Sequence, residues 1–338
     1  MRNMLITASA FALIASAASA DDLKKVWGGG DPTVSAYSGT YVPLAIENLT
    51  KARLAGYQWG GKSDGCIANM QKVTDNPTHL AICQGDMVAS EANMAAYKYT
   101  VVRSDLGFEC LYAVTALPGY DNFGHVLGNA FDLTVHTTGA ASGSMGSWAR
   151  LKEIYPDLGD VTIVNHANDK EATEAAKADA DKGVSSIAFF VKRPDPENAT
   201  FEYIAKSKMS FIPIVDFDIE DKGYNFPELP VENAGWGALM GGKVKRVTTA
   251  CMNIALITGD PSTLAADAAN GVKKRLNETI TRLKEQPASD WKPKEGWFAK
   301  MMNDIADTAP SKLAELKNAA KQTADNLGQK AGELIKQN

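Results

Sequence analysis

Three short segments combine hydroxyl side chains with glycine immediately ahead of a helical pattern. They are Ser38-Gly39-Thr40-Tyr41, Ser63-Asp64-Gly65-Cys66 and Ser142-Gly143-Ser144-Met145. A helix start presents unpaired N–H groups and a partial positive charge. Serine and threonine add hydroxyl donors, and glycine lets a ligand approach the backbone. Such loops hold an anion or carboxylate without a metal. Any one of them also reads as simple helix capping; three in this order point to a binding cleft.

Catalytic chemistry is harder to assemble. Ser144 lies in Gly143-Ser144-Met145-Gly146-Ser147, not in the G-x-S-x-G of a nucleophile elbow. Neither a phosphate-binding loop with its lysine nor G-x-G-x-x-G is present. His79, His125, His136 and His166 are scattered without ligand spacing. Asp216, Asp218, Glu220 and Asp221 resemble the start of a calcium loop. However, Asp221 stands where the turn glycine belongs, and Pro227 where the bidentate glutamate belongs. The expectation is therefore no catalytic set, no metal and no cofactor.

Cys66, Cys83, Cys110 and Cys251 are the four cysteines. Zinc is not expected, because there is no C-x-x-C and no nearby histidine pair. An even number in an oxidising compartment allows disulfides. Cys66–Cys83 is the expected pair; Cys110–Cys251 reads either as a second disulfide or as buried thiols.

The elements that must position these residues follow an alternating plan. Residues 1–20 (MRNMLITASAFALIASAASA) carry one charge, Arg2, an apolar stretch and a small-residue junction, the pattern of an export signal. That predicts a periplasmic location. Strand patterns at 23–27, 57–59, 79–83, 109–116, 131–138, 161–165, 184–191, 209–216 and 246–258 are interleaved with helical patterns at 41–54, 66–73, 145–155, 168–182, 197–205 and 260–284. Alternation of this kind predicts a mainly parallel sheet with crossover helices. From 287 onward the chain is polar, with a weak helical stripe of Leu313, Leu316, Ala320, Leu327, Ala331 and Leu334. At 338 residues the chain has room for two domains of roughly 150 residues each. Its net charge of -5, without a basic block, excludes ordinary nucleic-acid binding.

The order of the loops resembles the TAXI family, the solute-binding proteins of a class of TRAP transporters, with a type II periplasmic-binding-protein fold. Gly39-Thr40-Tyr41 is similar to the family's G-x-Y after the first strand. Asp64 to Met70 keeps Gly65 and Asn69 of a G-G-S-x-E-N-L-like segment. Gln84-Gly85-Asp86 matches Q-x-D, Ser142-Gly143-Ser144-Met145 matches a G-S-G-T-like element in part, and the returning strand and helix start lie at 255–261. Cys66 replaces the usual serine and Met145 the usual threonine; both changes remove a hydroxyl.

The resemblance implies a two-lobed α/β protein, each lobe a mainly parallel sheet flanked by helices, with a C-terminal helical tail. Lobe one would comprise 21–116 and 247–285, lobe two 117–246, and the tail 286–338. It implies capture of a small, carboxylate-bearing molecule between the lobes by a monomer, for delivery to a membrane permease. Ser38, Gly39, Thr40, Tyr41, Asp64, Cys66, Gln84 and Asp86 would contribute from lobe one. Ser142, Gly143, Ser144, Met145, Phe190 and Asp216 would contribute from lobe two. A ligand carrier or sensor subunit for a more apolar molecule is the alternative.

Overall fold

A computed structural model of the chain describes residues 24–30, 35, 37–140, 142–195, 198–232, 245–265 and 271–293. The export-signal segment 1–20 and the tail stripe 313–334 lie outside the described residues. In chain order the first part runs β1 (Lys24–Gly29), a π-turn (Tyr37–Tyr41), α1 (Val42–Lys51), β2 (Tyr57–Ser63), α2 (Cys66–Asp75), β3 (Leu80–Gln84), α3 (Gly85–Val88), α4 (Glu91–Ala96), β4 (Tyr99–Arg103) and β5 (Phe108–Thr115). There follow α5 (Phe123–Gly128), β6 (Thr134–Thr138), α6 (Gly143–Ile154), β7 (Thr162–His166), α7 (Asp169–Ala180), β8 (Ser186–Lys192), α8 (Ala199–Lys206), β9 (Ser210–Ile212), β10 (Tyr224–Asn225), β11 (Glu228–Pro230), β12 (Arg246–Thr248), β13 (Cys251–Gly259) and α9 (Val272–Lys284).

The chain forms a mixed α/β fold whose main sheet has two halves. Its strand order is β2-β1-β3-β13-β5-β8-β6-β7. In the first half β2, β1 and β3 run parallel, and β13 adds antiparallel to β3. In the second half β7, β6 and β8 run parallel, and β5 adds antiparallel to β8. The two plans are the same. Each half closes on an antiparallel strand, β13 in the first and β5 in the second, and those two strands pair with each other, Cys251 opposite Cys110. β5 therefore lies with the second half of the sheet, so the strand pairing changes halves between β4 and β5.

Alternation along the buried strands assigns side chains to two faces. Leu111 and Ala113 of β5, with Ile187 and Phe189 of β8, pack on the face that holds Trp148 of α6 and Phe123 of α5. Cys110, Tyr112 and Val114, with Ala188 and Phe190, pack on the opposite face against Ala176 of α7 and Phe201 of α8. The first half repeats this. Leu80 and Ile82 join α1 and α9, whereas Ala81 and Cys83 join α2. Helices on both faces explain why these strands read as nearly unbroken apolar runs.

Several sequence-derived elements shift. The 246–258 run is two strands, broken at Thr249-Ala250. The 131–138 run begins as a 3-10 turn at 130–132, and only 134–138 is strand. Pro261 opens a 3-10 turn rather than the long helix; Asp260 caps that turn through Ser262, and α9 starts only at Val272. Asp260-Pro261 is a start signal for any helical turn, whatever its length, so the pattern did not distinguish them. α3, α4, α5 and β4 were not expected. No helix among the described residues is long and apolar enough to cross a membrane.

Both disulfides are formed. Cys66–Cys83 joins the start of α2 to β3, and Cys110–Cys251 joins the two central strands. They close 17 and 141 residues of sequence. In the chain-entropy treatment the shorter loop contributes about 3 kcal/mol and the longer about 5 kcal/mol. Paired Cys110→Ala/Cys251→Ala substitution is expected to lower stability in urea by more than Cys66→Ala/Cys83→Ala. An equal or reversed order would show that denatured-state entropy does not govern these bonds.

Candidate functional site

A cleft of about 600 Å³ opens where the two halves of the sheet meet. Its walls come from the carboxyl ends of the parallel strands in both halves, the position at which open α/β sheets bind ligands. Gly29, Gly30 and Tyr37 follow β1; Lys62 to Cys66 follow β2; Gln84 ends β3. From the other half, Thr138 and Ser142 to Ser144 follow β6, Ala167 and Asp169 follow β7, and Lys192, Arg193 and Asp195 follow β8. Glu109 of β5 and Asn69 of α2 also line the cleft.

Two helices start on opposite walls. α2 begins at Gly65, whose φ of 94° lies in the left-handed region. A glycine N-cap has no side chain to occupy the first N–H groups, so they face outward from the helix end. On the other wall Ser142 caps α6, its Oγ accepting from Met145 N–H at 3.1 Å. Thr138 also donates to that oxygen, at 2.7 Å. Ser144 Oγ accepts from Val191 N–H at 3.0 Å. The acceptor side of both serines is thus engaged, while each keeps its own O–H to donate. Gly143 comes close to Gln84: a Cβ there would lie 2.7 Å from Gln84 Nε2. A side chain at 143 would displace the Gln84 amide from its place beside the helix start.

The floor carries a buried carboxyl group. Glu109 is 6% exposed. Tyr37 OH donates to its Oε2 at 2.6 Å and Gln84 Nε2 at 3.4 Å. Burial pushes its pKa from 4.5 up to about 7; the donors from Tyr37 and Gln84 and the positive charge of Arg193 pull the other way. Burial likewise raises the Tyr37 phenol well above its usual range, helped by the neighbouring Glu109 charge. Around this group Lys62, Lys192 and Arg193 face Asp64, Asp169 and Asp195. Lys192 and Asp169 form an ion pair. The cleft therefore combines donors at its helix ends with an acceptor at its floor, and its charges nearly balance.

Of the residues proposed from sequence, Asp64, Cys66, Gln84, Ser142, Gly143 and Ser144 line this cleft. The others are elsewhere. Ser38 is buried, its hydroxyl directed at the carbonyls of Gly28, Gly29 and Gly30 at the end of β1. Gly39 and Thr40 sit on the outer side of that turn, exposed and half-buried. Tyr41 is fully buried in the first-half core beneath α1. Phe190 stacks on Tyr112 at 5.3 Å, placed by strand alternation on the face covered by α8. Met145 is half-buried on α6 beside the cleft lining. Asp216 caps a 3-10 turn through Asp218 N–H at 2.9 Å. Asp86 is directed away from the cleft, to Ser147 and Tyr224. Cys66 offers no thiol, because it is bonded to Cys83.

Sequence reasoning missed Tyr37, Glu109 and the Lys192-Arg193-Asp195 turn. A signal was present for two of these. Glu109 is a charge inside an otherwise apolar strand, and buried charges demand partners. Lys192 and Arg193 follow directly on an apolar strand. Tyr37 had none, because its partner lies 72 residues away.

No family model and no curated protein matches the sequence. Solved structures overlay on it loosely. XAC2383 from Xanthomonas citri bound to ATP gives a TM-score of 0.44 at 10% identity, over 86% of this chain and 98% of that one. YhfZ from Shigella flexneri gives 0.43 at 10% identity, over 78% and 90%. The GluR0 ligand-binding core in complex with L-glutamate gives 0.41 at 12% identity, over 81% and 97%. Overlays this loose carry no information on ligand or mechanism.

Because the folded state holds the Glu109 proton more tightly than the unfolded chain does, this carboxyl stabilises the fold fully below about pH 4.5, and that contribution is lost as pH rises through about 7. Between pH 5 and pH 8 the loss is on the order of 2–3 kcal/mol. Glu109→Gln is expected to flatten this part of the stability–pH curve, measured by urea unfolding at several pH values. An unchanged slope would show that Glu109 does not titrate in this range.

Proposed function

We propose that the chain is an exported, monomeric solute-binding protein that captures a small carboxylate-bearing molecule in this cleft and delivers it to a membrane permease. The observation that carries the reading is the convergence of strand-end loops from both halves on one cleft lined by two helix starts. The first lobe is residues 24–103 with 254–293, and the second is 108–253. The chain crosses between them at 104–107 and within β13. This moves the first crossing ahead of β5, relative to the boundary at 116 read from the sequence.

The chemistry supports a ligand with two kinds of group. Its carboxylate would take the N–H groups at the starts of α2 and α6 and the hydroxyls of Ser142 and Ser144. A hydroxyl or ammonium on the same molecule would donate to Glu109. Lys62 and Arg193 would offset the ligand's negative charge, which the chain's own net charge of -5 does not attract. The role is binding rather than turnover, because the hydroxyls of Ser142 and Ser144 cap and brace α6 instead of facing a general base. Loss of the family's two hydroxyls matters less than the sequence suggested. Cys66 is tied into a disulfide, and Met145 stands outside the lining. The polar lining does not favour the alternative of an apolar cargo.

A thermal-shift and calorimetric screen of dicarboxylates, hydroxy acids and amino acids tests this. A ligand present at 100 times its Kd stabilises by about 2.7 kcal/mol. For a chain of this size that is a rise in Tm of roughly 4 °C. Gln84→Ala and Arg193→Ala are each expected to weaken binding by about 10- to 100-fold, the loss of a hydrogen bond to a charged group. The reading is overturned if no compound in the panel shifts Tm, if both variants bind as tightly as the parent, or if a bound compound is turned over.

A further inference from the structure

Asp86 was expected on the cleft, yet it is the centre of a different structure. The tripeptide Gln84-Gly85-Asp86 runs along one face of α6: Gln84 presses on Gly143 at the cleft, and Asp86 reaches Ser147, one turn further along the same helix. Asp86 is 1% exposed. Its Oδ2 accepts from Ser147 Oγ at 2.5 Å and from Tyr224 OH at 2.8 Å, and its Oδ1 accepts from Met87 N–H at 2.7 Å. Ser147 is on α6 and Tyr224 on β10, both in the second half; Asp86 is on α3, in the first.

The contact continues along α6. Met87 lies against Gly146, where a Cβ would come within 2.8 Å of its sulfur. Ser90 donates to Glu153, which also takes Arg150. The seam therefore follows α6 from residue 143 to 153, about 15 Å at 1.5 Å per residue. Two connecting strands alone would leave the halves free to rotate about them, the usual hinge arrangement. Here a rotation that separated α3 from α6 would remove two hydroxyl donors from a buried carboxylate. Leaving buried polar groups without partners costs their full desolvation penalty.

We propose that Asp86, with Ser147 and Tyr224, is a ligand-independent lock between the halves, and that it holds the start of α6 over the cleft when no solute is bound. Asp86 is then a positioning residue: it touches no ligand, and it sets whether the cleft is already formed when a ligand arrives. The lock does not depend on the identity of the solute or on the capture reading.

The test uses the full chain without ligand. Ile67, on α2, and Lys170, on α7, are exposed and directly follow the lining residues Cys66 and Asp169, one in each half. Spin labels at Ile67→Cys and Lys170→Cys, with the four native cysteines paired, report the distance across it. The parent is expected to give one narrow distribution. Asp86→Ala should broaden it and shift it to longer distances, and Tyr224→Phe and Ser147→Ala should do so by smaller amounts. Tyr224→Phe keeps the ring and removes only the hydroxyl, so it decides the matter if Asp86→Ala does not fold. Circular dichroism and intact disulfides establish folding for each variant. A broad distribution in the parent, or an unchanged narrow one in the folded variants, overturns the lock. A failed solute screen leaves this result standing, and a failed lock leaves the screen standing.

Discussion

The antiparallel pairing of β13 with β5 is the contact on which the rest of the fold depends. Each half is built from three parallel strands in the same order, and each lacks a fourth. The first half takes β13, which returns after the whole second half has been built. The second half takes β5, which departs from the first. Because the two borrowed strands then pair with each other, the strand ends of both halves open into one cleft. The Cys110–Cys251 disulfide ties that pairing at one of its three opposed residue pairs.

This arrangement also decides where the site's charge lies. Glu109 precedes Cys110 on the joining strand, so the buried carboxyl sits at the junction of the halves rather than on either wall. Burial penalises its ionised form, while Tyr37 and Gln84, donated by the first half, and Arg193, supplied by the second, favour it. A group in that balance senses both halves at once. Asp86, a first-half carboxyl outside the cleft lining, likewise draws on the other half: its hydroxyl partners, Ser147 and Tyr224, come from the second. One junction thus contains a site-facing carboxyl and a seam-facing one.

Much of the fold was legible because its signals are local. The runs at 184–191 and 109–116 are apolar on both faces, as strands covered by helices on two sides must be. Ser142 ahead of Met145, and Asn168 ahead of Glu171, are capping pairs separated by one helical turn, and both side chains cap their helices. The strand-end loops after β2 and β6 reached the cleft for the same reason: a loop between a parallel strand and its helix lies at the carboxyl edge in any such sheet. The loop after β1 obeyed that rule through Tyr37, but Ser38 turned inward, its hydroxyl held among the carbonyls of Gly28, Gly29 and Gly30. Phe190 shows a further limit. Its strand was evident, whereas the face it occupies depends on which helices cover the sheet.

By itself, then, the sequence determined the alternation of strands and helices, the caps, the strand-end loops and the pairing of Cys66 with Cys83, which lies within one strand–helix unit. Only the tertiary structure decided which side chains meet across that framework. Tyr37 finds Glu109 across 72 residues, and Asp86 finds Ser147 across 61 and Tyr224 across 138. The physical reason is one of range. Periodicity and capping are set by neighbours within a few residues, so they are written in the order of the letters. A buried hydrogen bond between distant segments depends on how whole sheets and helices come to rest against one another, and no local spacing encodes that.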